Sequence, residues 1–221
     1  MKITSFILFF FLFFLVTSAF ACPGYKQPTT TLKQTHELCY SHYMVLYNDS
    51  TKTPVYAAEA LTAQDIADSN AINRHDAFHA ESKLPKTVQS SPSDYSNTGY
   101  DKGHIVPAGD QPTMSAQAES FSMANMVPQN PTNNRQTWRL LETQTRDYAS
   151  KNGYVYMISG PIYTDISKTI HNGISIPQKL FKVWFDKDHK YIHGWIVDNT
   201  ATAVPKEVTL AELESQTKLK F

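Results

Sequence analysis

Asn134-Arg135-Gln136-Thr137-Trp138-Arg139-Leu140-Leu141-Glu142-Thr143-Gln144-Thr145-Arg146 follows the breakers Pro128 and Pro131. Thr132 or Asn133 can cap it and Asn152-Gly153 closes it, so a helix is predicted to about Ser150. Asn134, Trp138, Glu142 and Arg146 recur every four residues. At about 100° per residue each step drifts only ~40°, which places the four on one slanting stripe. The stripe carries an amide oxygen, a carboxylate and a guanidinium. The first two are hard oxygen ligands, suited to Mg²⁺, which accepts one or two protein ligands and keeps several waters. An arginine one turn beyond can meet a phosphate held by such a metal. Taken alone, the stripe also fits a solvated helix face with a Glu142–Arg146 ion pair worth about 0.3–0.5 kcal/mol.

Upstream lies Asp101-Lys102-Gly103-His104-Ile105-Val106-Pro107-Ala108-Gly109-Asp110. Histidine titrates near neutrality and is the commonest general base, and Gly103 permits a tight backbone beside it. Hydrolysing a phosphodiester requires an activated water, charge neutralisation on the phosphoryl oxygens and help for the leaving oxygen. His104, a metal on Asn134, and Arg146 would supply these between them. A lone histidine is more often structural, so the histidine and the helix support each other only together. The chain has four arginines, Arg74, Arg135, Arg139 and Arg146, and three of them fall in the quoted helix. A guanidinium offers phosphate a rigid fork of donors, which makes this cluster a candidate clamp, although a solvated helix face explains it too. Lys and Arg number 20 against 20 Asp and Glu. No broad basic surface is therefore expected, and any grip on phosphate is local.

Between these two pieces stands Asn125-Met126-Val127-Pro128-Gln129. In order, D-K-G-H-x-x-P-x-x-D, N-x-x-P-Q and N-x-x-x-W-x-x-x-E resemble the DNA/RNA non-specific endonuclease family with its ββα-metal active site. The resemblance spans at least residues 40–197, and Leu38-Cys39-Tyr40 and Ala58-Glu59 are similar to exported bacterial members. It implies a hydrolase that binds DNA and RNA through the phosphate backbone and leaves 5′-phosphate ends. It further implies His104 as general base, Asn134 as the direct protein ligand to Mg²⁺ (with Mn²⁺ an alternative), and Glu142 on the metal-bound waters. Arg146 is implied to stabilise the phosphate, and Asn125 to orient His104 or its loop. Asp101 and Asp110 are implied to be structural. Arg135, Arg139 and Arg74 are expected to contact substrate. Lys102 departs from the family's arginine; it keeps the charge and loses the planar fork. Two other readings stay open. One is a nucleic-acid-binding protein with weakened catalysis, which only Lys102 favours; the other is a small-nucleotide phosphodiesterase using the same site.

Around these motifs the chain reads as one α+β domain with a mostly antiparallel sheet and flanking helices. Residues 40–48 and 54–61 are predicted strands of a hairpin, with turn material between. Strands are also expected at 154–160, 180–186 and 191–197, with Trp184 and Trp195 in the core. Residues 82–99 read as a loop and 115–124 as a helix with Ser115 as cap. The tail from Pro205 to Phe221 is expected to form a final helix.

Residues 1–21 differ from the rest. Lys2 precedes an apolar run from Phe6 to Val16, followed by Thr17-Ser18-Ala19-Phe20-Ala21. That order predicts a secretory leader cut after Ala21, because the run is shorter than the ~20 residues of a spanning helix. The mature domain is then 22–221, secreted or periplasmic and off the membrane. In an oxidising compartment the even pair Cys22 and Cys39 is expected to form a disulfide. Two further motifs carry less. His75 and His79 have the i, i+4 spacing of helical zinc ligands but no third partner. Asn48-Asp49-Ser50 fits a glycosylation sequon, which matters only in a eukaryote.

Overall fold

The structure, a computed structural model, describes residues 22–221; the expected leader and its cleavage point lie outside them. Seven strands form one antiparallel sheet in the order β1-β2-β3-β6-β7-β8-β9. They are β1 (Thr35–Cys39), β2 (Tyr43–Asn48), β3 (Thr53–Thr62), β6 (Tyr154–Ile162), β7 (Lys179–Phe185), β8 (Tyr191–Asp198) and β9 (Lys206–Glu207). A separate two-stranded ribbon joins β4 (Asp101–His104) to β5 (Met126–Gln129). Among the described residues four α-helices flank them: α1 (Ala63–Ser69), α2 (Met114–Ser120), α3 (Arg139–Asn152) and α4 (Leu210–Thr217).

The strands alternate with period two between two buried faces. On one face Met44, Tyr56, Ala58, Ile158, Phe181 and Val183 join Leu213 of α4 and Cys22 in an apolar layer. On the other, Tyr43, Val45, Tyr47, Ala57, Leu180 and Val197 pack against Trp138, Leu141 and Ile105. Gly160 lets Phe181 and the backbone of Val55 approach: a Cβ there would lie 2.8 Å and 2.6 Å from them. Cys22 and Cys39 form the expected disulfide, with Cα atoms 5.3 Å apart.

The predicted hairpin is present between β2 and β3. Its turn closes as Asn48 Oδ1 accepts from the backbone N–H groups of Ser50 and Thr51. That use buries Asn48 and works against a glycan there. Strand 40–48 is shorter than expected: Tyr40–His42 turn the chain, Tyr40 N–H donating to Tyr43 O, and β1 pairs back on β2. The helix expected over 115–124 is Met114–Ser120, and its cap is Thr113, which accepts from Ala116 N–H, rather than Ser115. It ends early because Asn125 Nδ2 takes up the Ser120 carbonyl and the next residues enter a 3₁₀ turn at Met123–Asn125. The tail helix begins only at Leu210, where Thr209 and Glu212 make a reciprocal cap; β9 precedes it. The expected loop around Pro128 contains β5, in which Pro128 opposes Lys102 on a ribbon that has no third strand to deprive of a donor. α1 was not foreseen, though Thr62 and Asp65 form a capping box at its start. The quoted helix is two elements: Asn133–Trp138 is π-helical, α3 continues from Arg139, and Gly153 closes it at φ 87°.

Candidate active site

β4 presents His104 beside the helix. Gly103 opposes Val127 across the ribbon, and a Cβ on it would stand 2.1 Å from Gln129 Oε1. Only glycine therefore lets the ribbon close at this point. Trp138 Nε1 donates to the His104 carbonyl at 3.3 Å, locking strand to helix. Asn125 is buried behind the loop: its Nδ2 donates to Val106 O at 2.8 Å and its Oδ1 accepts from Val106 N at 3.0 Å. It holds the chain two residues beyond His104, the loop half of its expected orienting role.

Between β4 and the helix opens a cleft of about 530 Å³. His104, Lys102, Asn134, Glu142 and Arg146 line it, as do Arg74, Arg135 and Arg139. A π-helical turn widens the helix just where Asn134 enters the cleft, a deviation frequent at functional sites. The stripe therefore converges as expected, with Trp138 as its buried anchor.

His104 is 9 % exposed, with Phe121 edge-on at 5.0 Å and Phe78 at 5.7 Å. Burial pushes its pKa down to about 3; the Arg74 charge lowers it further and Asp76 opposes this. The ring is thus neutral at physiological pH, the form a base requires. Nε2 is enclosed without a protein partner, and the residue lines the cleft.

Asn134 Nδ2 donates to Asp101 Oδ2 at 2.9 Å. Because that carboxylate can only accept, the amide oxygen is turned away from it and remains a hard ligand. Glu142 lies two turns along the same face, and burial raises its pKa to about 7; Lys182 and Arg146 pull it down and Asp110 pushes it up. A carboxylate pushed toward protonation and an unspent amide oxygen, both lining one cleft, fit a divalent cation with a shell of waters. Among the described residues no three His, Cys, Asp or Glu side chains group as a cage, so the fit rests on this amide–carboxylate pair.

Arg146 does not pair with Glu142. It donates to buried Asp110 at 2.8 Å and to Thr143 Oγ1 at 3.1 Å, because α3 turns it toward the loop after β4. Arg135 donates twice to Asp101, at 2.8 and 2.7 Å, with a side chain 70 % exposed. Asp101 thereby fixes both Arg135 and Asn134, and Asp110 fixes Arg146. Lys102 Nζ lies 4.8 Å over the Phe78 ring and the Arg74 guanidinium 5.1 Å over Phe121. Asp76 pairs with Arg74 at 2.7 Å.

Asp76, Phe78 and Tyr100 line the cleft and were not foreseen. Arg74, Asp76 and Phe78 alternate along an irregular extended segment, and that period-two spacing was the available signal. The same extended backbone keeps His75 and His79 off any helix face. Glu59 and Lys182, buried beneath the helix, were also missed; a charge inside an apolar strand was their signal.

A ribbon carrying a buried histidine, set against a helix that offers an amide, a carboxylate and an arginine, is the architecture of the ββα-metal nucleases. The chain belongs to the DNA/RNA non-specific endonuclease family, whose model matches residues 23–221, and this is a family of metal-dependent nucleases. It is 30 % identical over 200 residues to Nuclease C1 of Cunninghamella echinulata var. echinulata, covering 81 % of this chain and 79 % of the relative. It is 32 % identical over 163 residues to a nuclease of Nostoc sp., covering 73 % of this chain and 58 % of that one. The chain thus spans little more than half of the Nostoc protein. Its fold matches a chain of the crystal structure of an EndoG/EndoGI complex with a TM-score of 0.75, 24 % identity and coverage of 84 % and 85 %.

Proposed function

We propose that this chain is an endonuclease that hydrolyses phosphodiester bonds in DNA and RNA with little sequence preference, using Mg²⁺, or Mn²⁺ in its place. The carrying observation is that His104, Asn134, Glu142 and Arg146 reach one cleft from three elements. Asn134 would hold the metal directly and Glu142 its waters. When bound, the metal would neutralise charge on the phosphoryl group and the leaving oxygen. His104 takes the proton from the attacking water. Arg146 donates to a non-bridging oxygen, while Lys102, Arg74 and Arg139 hold the flanking backbone. Contacts of this kind go to phosphate rather than base edges, so sequence is read weakly. In-line attack that releases the 3′ oxygen leaves 5′-phosphate ends. The arginines on the cleft's exposed rim favour a polymer over a small nucleotide.

Export rests on the leader pattern of residues 1–21 and on the disulfide, which an oxidising compartment sustains. A secreted or periplasmic location follows from both.

The test uses residues 22–221 with supercoiled plasmid, with Mg²⁺ and with chelator, beside His104→Ala. Metal-dependent cleavage to fragments with 5′-phosphates is expected, slowed roughly 10²–10⁴-fold in the variant. A folded, metal-supplied wild type that binds plasmid without cutting it would transfer the site to the nucleic-acid-binding reading.

A further inference from the structure

Behind the cleft the sheet carries a lysine that the chemistry above does not use. Lys182 sits on β7 between Phe181 and Val183, which point into the apolar layer. Its own side chain points the other way, beneath the helix, and is 0 % exposed. The ammonium donates to Ser159 Oγ at 3.0 Å, reaches Met157 Sδ at 3.4 Å and lies 5.2 Å over the Trp138 ring. The charges that act on it are the carboxylates of Glu142, Glu59 and Asp110, and the guanidinium of Arg146.

Glu59 on β3 is 1 % exposed. Gln111 Nε2 reaches its Oε2 at 3.4 Å, and its Oε1 is enclosed without a donor. It faces Asp110. Asp110 gives Oδ1 to Arg146, and its Oδ2 is likewise enclosed without a donor. Two buried carboxyls facing one another repel unless a cation or a shared proton offsets them. Where the two carboxyls share no proton, the cations that act on them are Lys182 and Arg146, and without Lys182 both would draw on Arg146 alone.

We propose that Lys182 is a positioning residue: it offsets the Glu59–Asp110 pair from behind and so leaves Asp110 free to hold Arg146 at the phosphate side of the cleft. The proposal rests on the nuclease reading for what Arg146 does there, and not for where Arg146 is held. Lys182 touches no substrate; it acts through Asp110. It also braces Trp138, whose indole donates to the His104 carbonyl.

The test compares Lys182→Met, similar in volume and uncharged, with the double variant Lys182→Met/Glu59→Gln, in which one negative charge is removed as well. Rates are measured on a labelled duplex with saturating Mg²⁺. Arg146 is followed separately through its guanidinium N–H resonances, assigned among those of the four arginines. In Lys182→Met kcat is expected to fall roughly 10–100-fold with KM within about threefold, and the slowly exchanging Arg146 signal to be lost. The double variant is expected to recover kcat to within about fivefold, a non-additivity that a packing role would not give. An unchanged kcat and Arg146 signal in Lys182→Met overturns the proposal. So does a loss that the double variant fails to recover. If Lys182→Met does not melt cooperatively, the isosteric Glu59→Gln decides: a kcat loss of about fivefold with a shifted Arg146 signal supports the proposal, and no change in either overturns it. A wild type that does not cut strikes the nuclease reading alone, since the guanidinium arm needs no activity.

Discussion

The two faces of the seven-stranded sheet are built from the same strands to different rules. On one, Met44, Tyr56, Ile158, Phe181 and Val183 meet α4 and the Cys22 disulfide in an apolar layer. On the other, the same strands β3, β6 and β7 place Glu59, Ser159 and Lys182 under the helix that carries Asn134, Glu142 and Arg146. Buried charge costs stability that packed apolar residues would not. The apolar face holds the sheet together, and the charged face aims side chains at the cleft. Substitutions on the two faces are therefore expected to leave opposite signatures.

The largest effect is on the apolar face. Phe181→Ala removes a fully buried ring lying over Gly160. It is expected to cost about 3–5 kcal/mol of stability with kcat per folded molecule retained, as urea unfolding beside initial rates would read. Glu142→Gln, nearly isosteric and on the other face, is expected to do the reverse. Supporting ligands of this type typically matter about 10–100-fold in metal affinity or rate, and the melting transition at pH 7 should not fall, because the buried charge is removed. Loss of activity at equal folded fraction in Phe181→Ala would break the division.

Acid provides a second contrast. His104 has a folded pKa near 3, below its unfolded value of about 6.5. Its contribution to stability is therefore fully present above pH 6.5 and is lost as pH falls toward 3. Glu142 works the other way in metal-free protein: its folded value near 7 lies above its ordinary 4.5, so it adds stability as pH falls between those limits. Metal-free protein should thus hold its melting temperature to about pH 4.5 and lose it below. In Glu142→Gln the decline should begin near pH 6.5. Identical pH profiles for the two proteins would show that the charged face does not titrate as its burial dictates.

The disulfide lies with the apolar face. Sixteen residues separate Cys22 from Cys39, and the chain-entropy estimate for such a loop is up to about 3 kcal/mol. Cys22→Ser/Cys39→Ser should lower the melting temperature, and initial rates at 25 °C should be unchanged. A fall in rate that exceeds the unfolded fraction would mean that the strap also supports the cleft.

What the sequence disclosed follows the same division. β2, β3, β6, β7 and β8 were legible because each is a short run rich in apolar, β-branched or aromatic residues. The i, i+4 stripe was plain because one helix holds it, even though a π-helical turn displaces its start. The support beneath was not legible: Asp110 lies 36 positions from Arg146 and Glu59 lies 123 from Lys182, and only the fold brings them together. The Glu142–Arg146 pair failed for a related reason, since helical spacing allowed it and a buried aspartate from another element outcompeted it. α1 and β5 escaped notice because a seven-residue helix and a strand containing proline carry little periodic signal.

The smallest expected effect is at Lys102, where the family pattern has arginine. Its ammonium lies over Phe78 at the cleft's edge, on the same ribbon strand as His104. A point charge in that position attracts phosphate without fixing its orientation, whereas a guanidinium can stack on the ring and present two parallel donors. Lys102→Arg should therefore lower KM, and raise kcat/KM by no more than about tenfold, while leaving the slope of binding against salt unchanged because the charge is the same. Lys102→Met should flatten that slope by about one phosphate contact. If Lys102→Arg instead slows cleavage, the Phe78 platform is shaped for an ammonium, and lysine is the fitted residue here rather than a weakened one.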